Sequence, residues 1–406
     1  MPGESNNYGG GGCLMAKVTG MTGDHAIAYA AKQCDVDVVA AYPITPQTII
    51  VERFSDYVAN GEVKTEYVCV ESEHSAMSAC VGASTTGARV FTATSSQGLA
   101  LMHEILYIAS SLRCPIVMAV VNRALSAPIN IHCDHSDMMG SRDCGWIQLY
   151  CENGQEAYDQ TIQAFKIAED PDILLPVTVN LDGFITSHCM EGVNILPDED
   201  VKTFLPPRKA VYKLDPANPI TIGALCFTDY YFEIKAQQED AMTKVSAKVK
   251  EVGEEFGKIT GRSYGLIETF GLEDAEVALM CLGSTAGTAR VVADKLRKAG
   301  KPVGVIKVRL FRPFPSREIV EAIEGLKALT VLDRVATSGA PSGPLCSDVK
   351  TALYAETEKP LITNVIYGLG GRDMSPLNLE KIFNDTLKTA SVGKIDRPIG
   401  YLGVRE

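Results

Sequence analysis

Short apolar runs recur through the first half of the chain, at Val36–Ala41, Tyr67–Val70, Val90–Ala93, Ile116–Val121 and Leu174–Asn180. Each has the length and composition of a strand buried on both faces. Between them, apolar positions fall at helical spacing in Ser75–Ser84, Gly98–Leu112 and Gln155–Ala168, the last ending at the break Asp170-Pro171-Asp172. Alternation of this kind predicts a parallel sheet with helices on both faces, an α/β fold.

The pattern changes after residue 206. Pro206, Pro207, Pro216 and Pro219 mark a linker, and Tyr231–Gly257 is charged and amphipathic, the signature of one long helix lying across a domain surface. Strand and helix patterns then resume with Val277–Leu282, the turn Gly283-Ser284-Thr285-Ala286-Gly287, helix Thr288–Ala299, strand Val303–Val308, helix Ser316–Ile323 and strand Leu329–Leu332. This reads as a smaller βαβ domain. The expected division is a flexible N-terminal extension over 1–20, a sheet domain over 21–206, a linker with the long helix over 207–272, the smaller domain over 273–390 and a tail over 391–406.

Composition narrows the function. A net charge of −12 with no dense basic tract argues against nucleic acid or anionic lipid as the main partner. No stretch approaches the uninterrupted apolar length of a membrane span, and the polar, Gly-rich start at Met1–Lys17 has no apolar signal core, so a cytoplasmic location with no membrane partner is expected. The glycines Gly9–Gly12 suggest disorder. Twelve cysteines are scattered from Cys13 to Cys346 without a close Cys-x-x-Cys pair, which points to reduced core thiols and to no metal or cluster held by this chain. Cys133, between His132 and His135, is the nearest approach to an exception.

Several segments carry candidate chemistry. In Tyr42-Pro43-Ile44-Thr45-Pro46 two prolines fix the backbone at the end of a strand, so the Thr45 hydroxyl is held in one direction where open α/β sheets bind ligands. Glu71-Ser72-Glu73 lies at a strand-to-helix passage; its acids suit a first helical turn, or one carboxylate faces a cleft. Arg123 follows a strand, where it can make a surface ion pair or grip a carboxylate with two hydrogen bonds. His132, Cys133, Asp134, His135 and Asp137 form the densest polar cluster, in a segment whose Ser136–Gly140 part reads as a loop. Ser95-Ser96-Gln97-Gly98 reads as a turn whose hydroxyls cap the next helix. The turn Gly283–Gly287 reads as structural or as an anion contact, lacking a full dinucleotide or P-loop pattern.

Taken in order, Tyr42-Pro43-Ile44-Thr45-Pro46, Glu71-Ser72-Glu73, Thr94-Ser95-Ser96-Gln97-Gly98-Leu99, Asn122-Arg123-Ala124, Asp134-His135-Ser136-Asp137 and Leu181-Asp182-Gly183-Phe184 are joined by Gly283–Thr288, Arg312-Pro313-Phe314-Pro315 and Gly368-Leu369-Gly370-Gly371-Arg372-Asp373. The set resembles the alpha subunits of pyruvate:ferredoxin oxidoreductase (pyruvate synthase), within the 2-oxoacid:ferredoxin oxidoreductase family, from Met21 to Phe383. The resemblance implies a thiamine-diphosphate-binding fold of the pyrimidine-binding type, followed by a smaller domain like the C-terminal domain of transketolase.

It also implies residue roles. Glu73 would be the catalytic glutamate that hydrogen-bonds N1′ of the aminopyrimidine, with Pro43, Ile44, Ser96 and Gln97 around the cofactor. Thr45 and Arg123 would contact the carbonyl and carboxylate of pyruvate. The chain lacks the Gly-Asp-Gly pattern with a later Asn through which thiamine enzymes hold magnesium and diphosphate, and it lacks cluster cysteines. Mg2+ and 4Fe-4S clusters are therefore expected on partner beta, gamma and delta subunits, with thiamine diphosphate shared with the beta subunit and the isolated chain inactive. The implied reaction converts pyruvate and coenzyme A to acetyl-CoA and carbon dioxide, reversibly, with electrons passed to ferredoxin. The alternatives are the same chemistry on 2-oxobutyrate, 2-oxoisovalerate or 2-oxoglutarate, and a non-catalytic assembly subunit. The loop from Asn130 to Asp137 departs from the family pattern at His132, Cys133 and Ser136, which bears on substrate preference and loop packing.

Overall fold

In the computed structural model, which describes residues 17–405, every apolar run named above coincides with or overlaps a strand. The strands in chain order are β1 (Lys17–Thr22), β2 (Val38–Ala41), β3 (Glu66–Cys69), β4 (Val90–Thr94) and β5 (Ile116–Asn122). They continue as β6 (Ile147–Tyr150), β7 (Val177–Asp182), β8 (Met190–Ile195), β9 (Ile267–Phe270) and β10 (Val277–Cys281). The last are β11 (Val303–Val308), β12 (Leu310–Arg312), β13 (Ala328–Asp333), β14 (Leu361–Ile366) and β15 (Ile399–Tyr401).

Two large sheets result. The first has seven strands in the order β12-β6-β7-β5-β4-β2-β3, parallel except for the antiparallel edge strand β12. The second has six, β15-β14-β13-β10-β11-β9, parallel except for β9. In the first sheet β2 lies between β3 and β4, so the chain moves to one side after β2 and to the other after β3. This reversal creates the crevice at the carboxyl ends of β2 and β4 where doubly wound sheets take ligands.

Helices cover the sheets as the periodicity requires. Gly154–Ala168 is almost wholly buried because it packs against the helix Gly23–Gln33, strands β5, β7 and β8, and the long helix Tyr231–Thr260. That long helix buries one stripe, Ala241, Val245, Val249, Val252 and Phe256, and leaves the charged faces out. Phe256 meets Phe204 edge to face at 5.3 Å. Gly253 is required here, since a Cβ would lie 2.0 Å from the Tyr264 carbonyl oxygen.

The expected divisions need correction at three places. Gly9–Gly12 lies outside the described residues, but residues 17–20 of the expected extension are strand, paired antiparallel with β8. Residues 267–270 of the expected linker are edge strand β9, and residues 399–401 of the expected tail are edge strand β15. Short edge strands carry little apolar pattern of their own, and their partners' backbones hold them in place. Ser136–Gly140, expected as a loop, is one helical turn with Asp137, Met138 and Met139 buried.

A buried charge network ties the two sheets together. Lys307 on β11 is 1% exposed and reaches Glu152 at 2.8 Å and Glu156, both from the first unit. Arg309 binds Glu156 at 3.0 Å and Glu268 at 2.7 Å. Burial acts to raise the Glu156 carboxyl, but Arg309 and Lys307 outweigh it and hold the group at about 2. The eleven described cysteines are all free thiols, most of them buried, and no helix among the described residues is long and apolar enough to cross a membrane.

Candidate functional site

The Tyr42–Gln47 segment leaves β2 into the crevice. Gln47 is fully buried and anchors it, its Nε2 donating to the Ala93 carbonyl at 2.6 Å and to the Tyr42 carbonyl at 3.2 Å. Pro43 and Thr45 are left exposed and Ile44 half-buried. Arg123 leaves β5 beside it and donates from Nη1 to the Thr45 carbonyl oxygen at 2.9 Å and from Nε to the Asn130 carbonyl oxygen at 2.9 Å. Its side chain is 6% exposed and has no carboxylate partner among the described residues. Burial presses the guanidinium pKa down, opposed by Asp137. A buried cation held by two carbonyls and lacking a counter-ion is suited to an anionic ligand.

Asp137 assembles the turns around this arginine. Its Oδ2 accepts from Arg123 N at 2.9 Å and Ser96 N at 3.0 Å, and its Oδ1 accepts from Asn122 Nδ2 at 3.0 Å and Met138 N at 2.7 Å. Burial pushes the carboxyl up to about 6, against these four donors that favour its ionised form. Sequence reasoning placed Asp137 in a polar cluster without giving it this role. Its signals were membership in a dense polar group and in the family-like segment Asp134–Asp137; neither shows what it binds, since its partners are mostly backbone N–H groups.

The expectation that Ser95 and Ser96 cap the following helix is not met. The Ser95 hydroxyl donates to the Val121 carbonyl at 2.7 Å and the Ser96 hydroxyl to the Ala124 carbonyl at 2.6 Å, so both tie the turn after β4 to the end of β5. Ser96 itself sits at φ +47, which turns the chain sharply into the helix Ser96–Leu101. Gln97 Nε2 is buried with no hydrogen-bond partner among the described residues.

Glu73 opens the helix Glu73–Thr85 after Ser72, whose hydroxyl accepts from Ser75 N as the N-cap. Its neighbours are engaged: Ser75 Oγ donates to the Glu71 carboxylate, and His74 lies 3.5 Å from Glu104. Glu71 is exposed, while Glu73 is 7% exposed with no hydrogen bond or ion pair among the described residues. Gly98 makes room for it; a Cβ there would lie 2.6 Å from Glu73 Oε1 and 2.6 Å from Thr94 Oγ1. Thr94 Oγ1 is another buried polar atom without a partner among the described residues. A near-buried carboxylate seated against Gly98, beside two buried polar atoms that have no partner among the described residues, fits a planar, nitrogen-rich ring such as the aminopyrimidine of thiamine.

The His132–His135 cluster is occupied by protein. His135 Nε2 pairs with Asp182 Oδ1 at 2.7 Å, while Asp182 Oδ2 meets Arg334 Nη1 at 3.0 Å and accepts from Ser284 N at 3.0 Å and Ser284 Oγ. Burial would raise Asp182, but Arg334, His135 and Ser284 hold it well below the ordinary carboxylate range. The anion at the Gly283–Gly287 turn is therefore the Asp182 carboxylate, and the turn is a joint between the two units. Ligand atoms of Cys133, His135 and Asp182 lie within 4.8 Å of one another, yet the adjacent guanidinium opposes a cation there, and burial pushes the Cys133 thiol far up. Asp182 lies in one of the family-like segments, but its pairing with His135 and Arg334 has no signal in the sequence, because the three lie far apart in the chain.

The fold and this cleft define an α/β protein whose first unit is of the thiamine-diphosphate-binding class. Residues 29–254 match the family described as pyruvate flavodoxin/ferredoxin oxidoreductase, thiamine diphosphate-binding, and residues 275–379 match pyruvate:ferredoxin oxidoreductase core domain II. The chain belongs to the pyruvate:ferredoxin oxidoreductase family. It is 53% identical to pyruvate synthase subunit PorA of Thermotoga maritima, over 95% of this chain and 98% of that one. It is 49% identical to PorA of Methanocaldococcus jannaschii (92% and 96% covered) and 48% identical to ketoisovalerate oxidoreductase subunit VorA of Pyrococcus horikoshii (94% and 96% covered). Among solved structures, a 2-oxoglutarate:ferredoxin oxidoreductase from Magnetococcus marinus shares the fold with a TM-score of 0.71 at 21% identity; the match covers 92% of this chain and 65% of that one.

Proposed function

We propose that this chain is the alpha subunit of a pyruvate:ferredoxin oxidoreductase and supplies the pyrimidine side and the substrate-carboxylate side of its active site. The observation that carries the reading is the Glu73 carboxylate, nearly buried, without a partner among the described residues, and packed into the space that the missing side chain of Gly98 leaves for it. Thiamine diphosphate, when bound, supplies a carbon nucleophile and an electron sink. Glu73 would hold a proton at N1′ of the pyrimidine ring, with Pro43, Ile44, Ser96 and Gln97 along its edges. Arg123 would grip the carboxylate of pyruvate and Thr45 would turn its hydroxyl to the carbonyl. The products are acetyl-CoA and carbon dioxide, with electrons leaving to ferredoxin.

Diphosphate, Mg2+ and 4Fe-4S clusters are assigned to partner beta, gamma and delta subunits, and the assembly to the cytoplasm. Within the chain, the unit boundaries are proposed at residues 206 and 272, with the edge strands reassigned as above.

A second substrate reading rests on the Pyrococcus relatives named as ketoisovalerate oxidoreductase subunits. One experiment addresses both readings: the complex is isolated anaerobically through this chain and assayed for coenzyme A-dependent viologen reduction with pyruvate, 2-oxobutyrate, 2-oxoisovalerate and 2-oxoglutarate. Highest kcat/KM with pyruvate is expected, and preference for a branched acid would transfer the assignment to that substrate. In the same complex Glu73→Gln should lose at least ~100-fold in turnover. Near-normal turnover would leave only an assembly role.

A further inference from the structure

The arginine proposed to hold the substrate carboxylate is not positioned by its own unit alone. Its Nε is fixed by the Asn130 carbonyl, and the loop that carries Asn130 is clamped by the second unit at the turn Gly368–Gly371 after β14. Asn130 Nδ2 donates to the Gly370 carbonyl at 3.1 Å, Gly370 N donates to Asp134 Oδ2 at 3.3 Å, and Gly371 N donates to the Cys133 carbonyl at 2.6 Å. The loop is closed internally as well. His132 N donates to Asn130 Oδ1 at 2.7 Å, and the His132 carbonyl accepts from Ala124 N, next to Arg123, at 3.0 Å.

Both glycines lie in the left-handed region, at φ +59 and +79. A Cβ on Gly371 would come within 2.4 Å of His132 Cβ, the stem of a residue whose backbone is bonded on both sides, so the loop itself would have to move. At Gly370 the Cβ would meet Asn130 Nδ2 at 2.3 Å. We infer that Gly370, Gly371 and Asn130 are positioning residues, through which the second unit sets the direction of the Arg123 guanidinium and hence the affinity for the 2-oxoacid carboxylate.

The inference rests on the reading of Arg123 given above, and the test separates the two. In the assembled complex, with pyruvate, coenzyme A and a viologen, Gly371→Ala is expected to raise the KM for pyruvate about tenfold and leave that for coenzyme A within about twofold. In an Arg123→Ala background the same change should add less than about twofold, because both act through one guanidinium. Global damage would instead multiply the effects and raise both KM values. If Gly371→Ala does not assemble, Asn130→Ala decides: a rise in the pyruvate KM of at least about threefold supports the inference, and a change below that overturns it. An Arg123→Ala complex with unaltered pyruvate KM would overturn the carboxylate reading together with the inference. A raised KM in Arg123→Ala, with no response in Gly371→Ala or Asn130→Ala, overturns the inference alone.

Discussion

Asp137 accepts four N–H donors from a buried position, and its carboxyl is pushed up to about 6. Its ionised form draws Ser96 N and Arg123 N together, so kcat/KM for the 2-oxoacid should rise as pH passes through about 6. Its contribution to stability runs the other way. Between about pH 4 and 6 the unfolded chain releases this proton while the folded chain keeps it, and stability from this group falls as pH rises through that window. Asp137→Asn must turn an amide NH2 toward one pair of donors, which should cost about 1–3 kcal/mol in denaturant unfolding and abolish the pH step in a pH–rate profile. Gly98→Ala is the corresponding probe of the cofactor side. The new methyl meets the Glu73 carboxylate, so thiamine diphosphate titrated into the depleted complex should bind at least about tenfold more weakly, whereas unchanged affinity would show that the ring lies elsewhere. Strand ends and rigid prolines made Thr45 and Arg123 visible as candidates, and resemblance singled out Glu73. The role of Asp137 was hidden because backbone amides have no sequence signature.

The long helix Tyr231–Thr260 shows what periodicity reports well. The amphipathic pattern over Tyr231–Gly257 predicts one long helix, and the helix buries the stripe Ala241, Val245, Val249, Val252 and Phe256 and leaves its charged faces exposed. Phe256→Ala should therefore cost about 3–5 kcal/mol, while Glu254→Ala on the exposed face should stay within about 0.5 kcal/mol, both read by chemical denaturation. Comparable losses at the two positions would mean that both faces are covered. The central strands were legible for a related reason, since a strand buried on both faces must be a continuous apolar run. The apolar run predicts strand from Leu174, but β7 starts only at Val177, because Leu174 takes φ +43 and Pro176 lacks an N–H for the ladder. Edge strands such as β1, β9 and β15 gave no such run. What defines them is a neighbour's unpaired backbone, which exists only once the sheet has formed.

At the scale of the whole molecule, the two units are held together by charges that a single protonation can unbalance. Glu156 sits at about 2 in the folded chain, below the ordinary carboxylate value, so its stabilisation is fully present above about pH 4.5 and is lost as pH falls toward 2. Glu156→Gln leaves Lys307 and Arg309 short of a counter-charge and should cost roughly 3 kcal/mol at neutral pH, with a smaller difference from the parent near pH 3. Thermal unfolding at the two pH values checks the sign. The strand β12 has a consequence of another kind. It reaches back from residue 310 to close the edge at β6, burying Leu310 in the core of the first sheet. During synthesis on a ribosome that sheet cannot finish until more than a hundred further residues beyond β7 have emerged, so its nascent form carries an open border. A fragment cut before residue 310 is expected to stick to itself through that border, and adding the missing strand as a peptide should restore solubility.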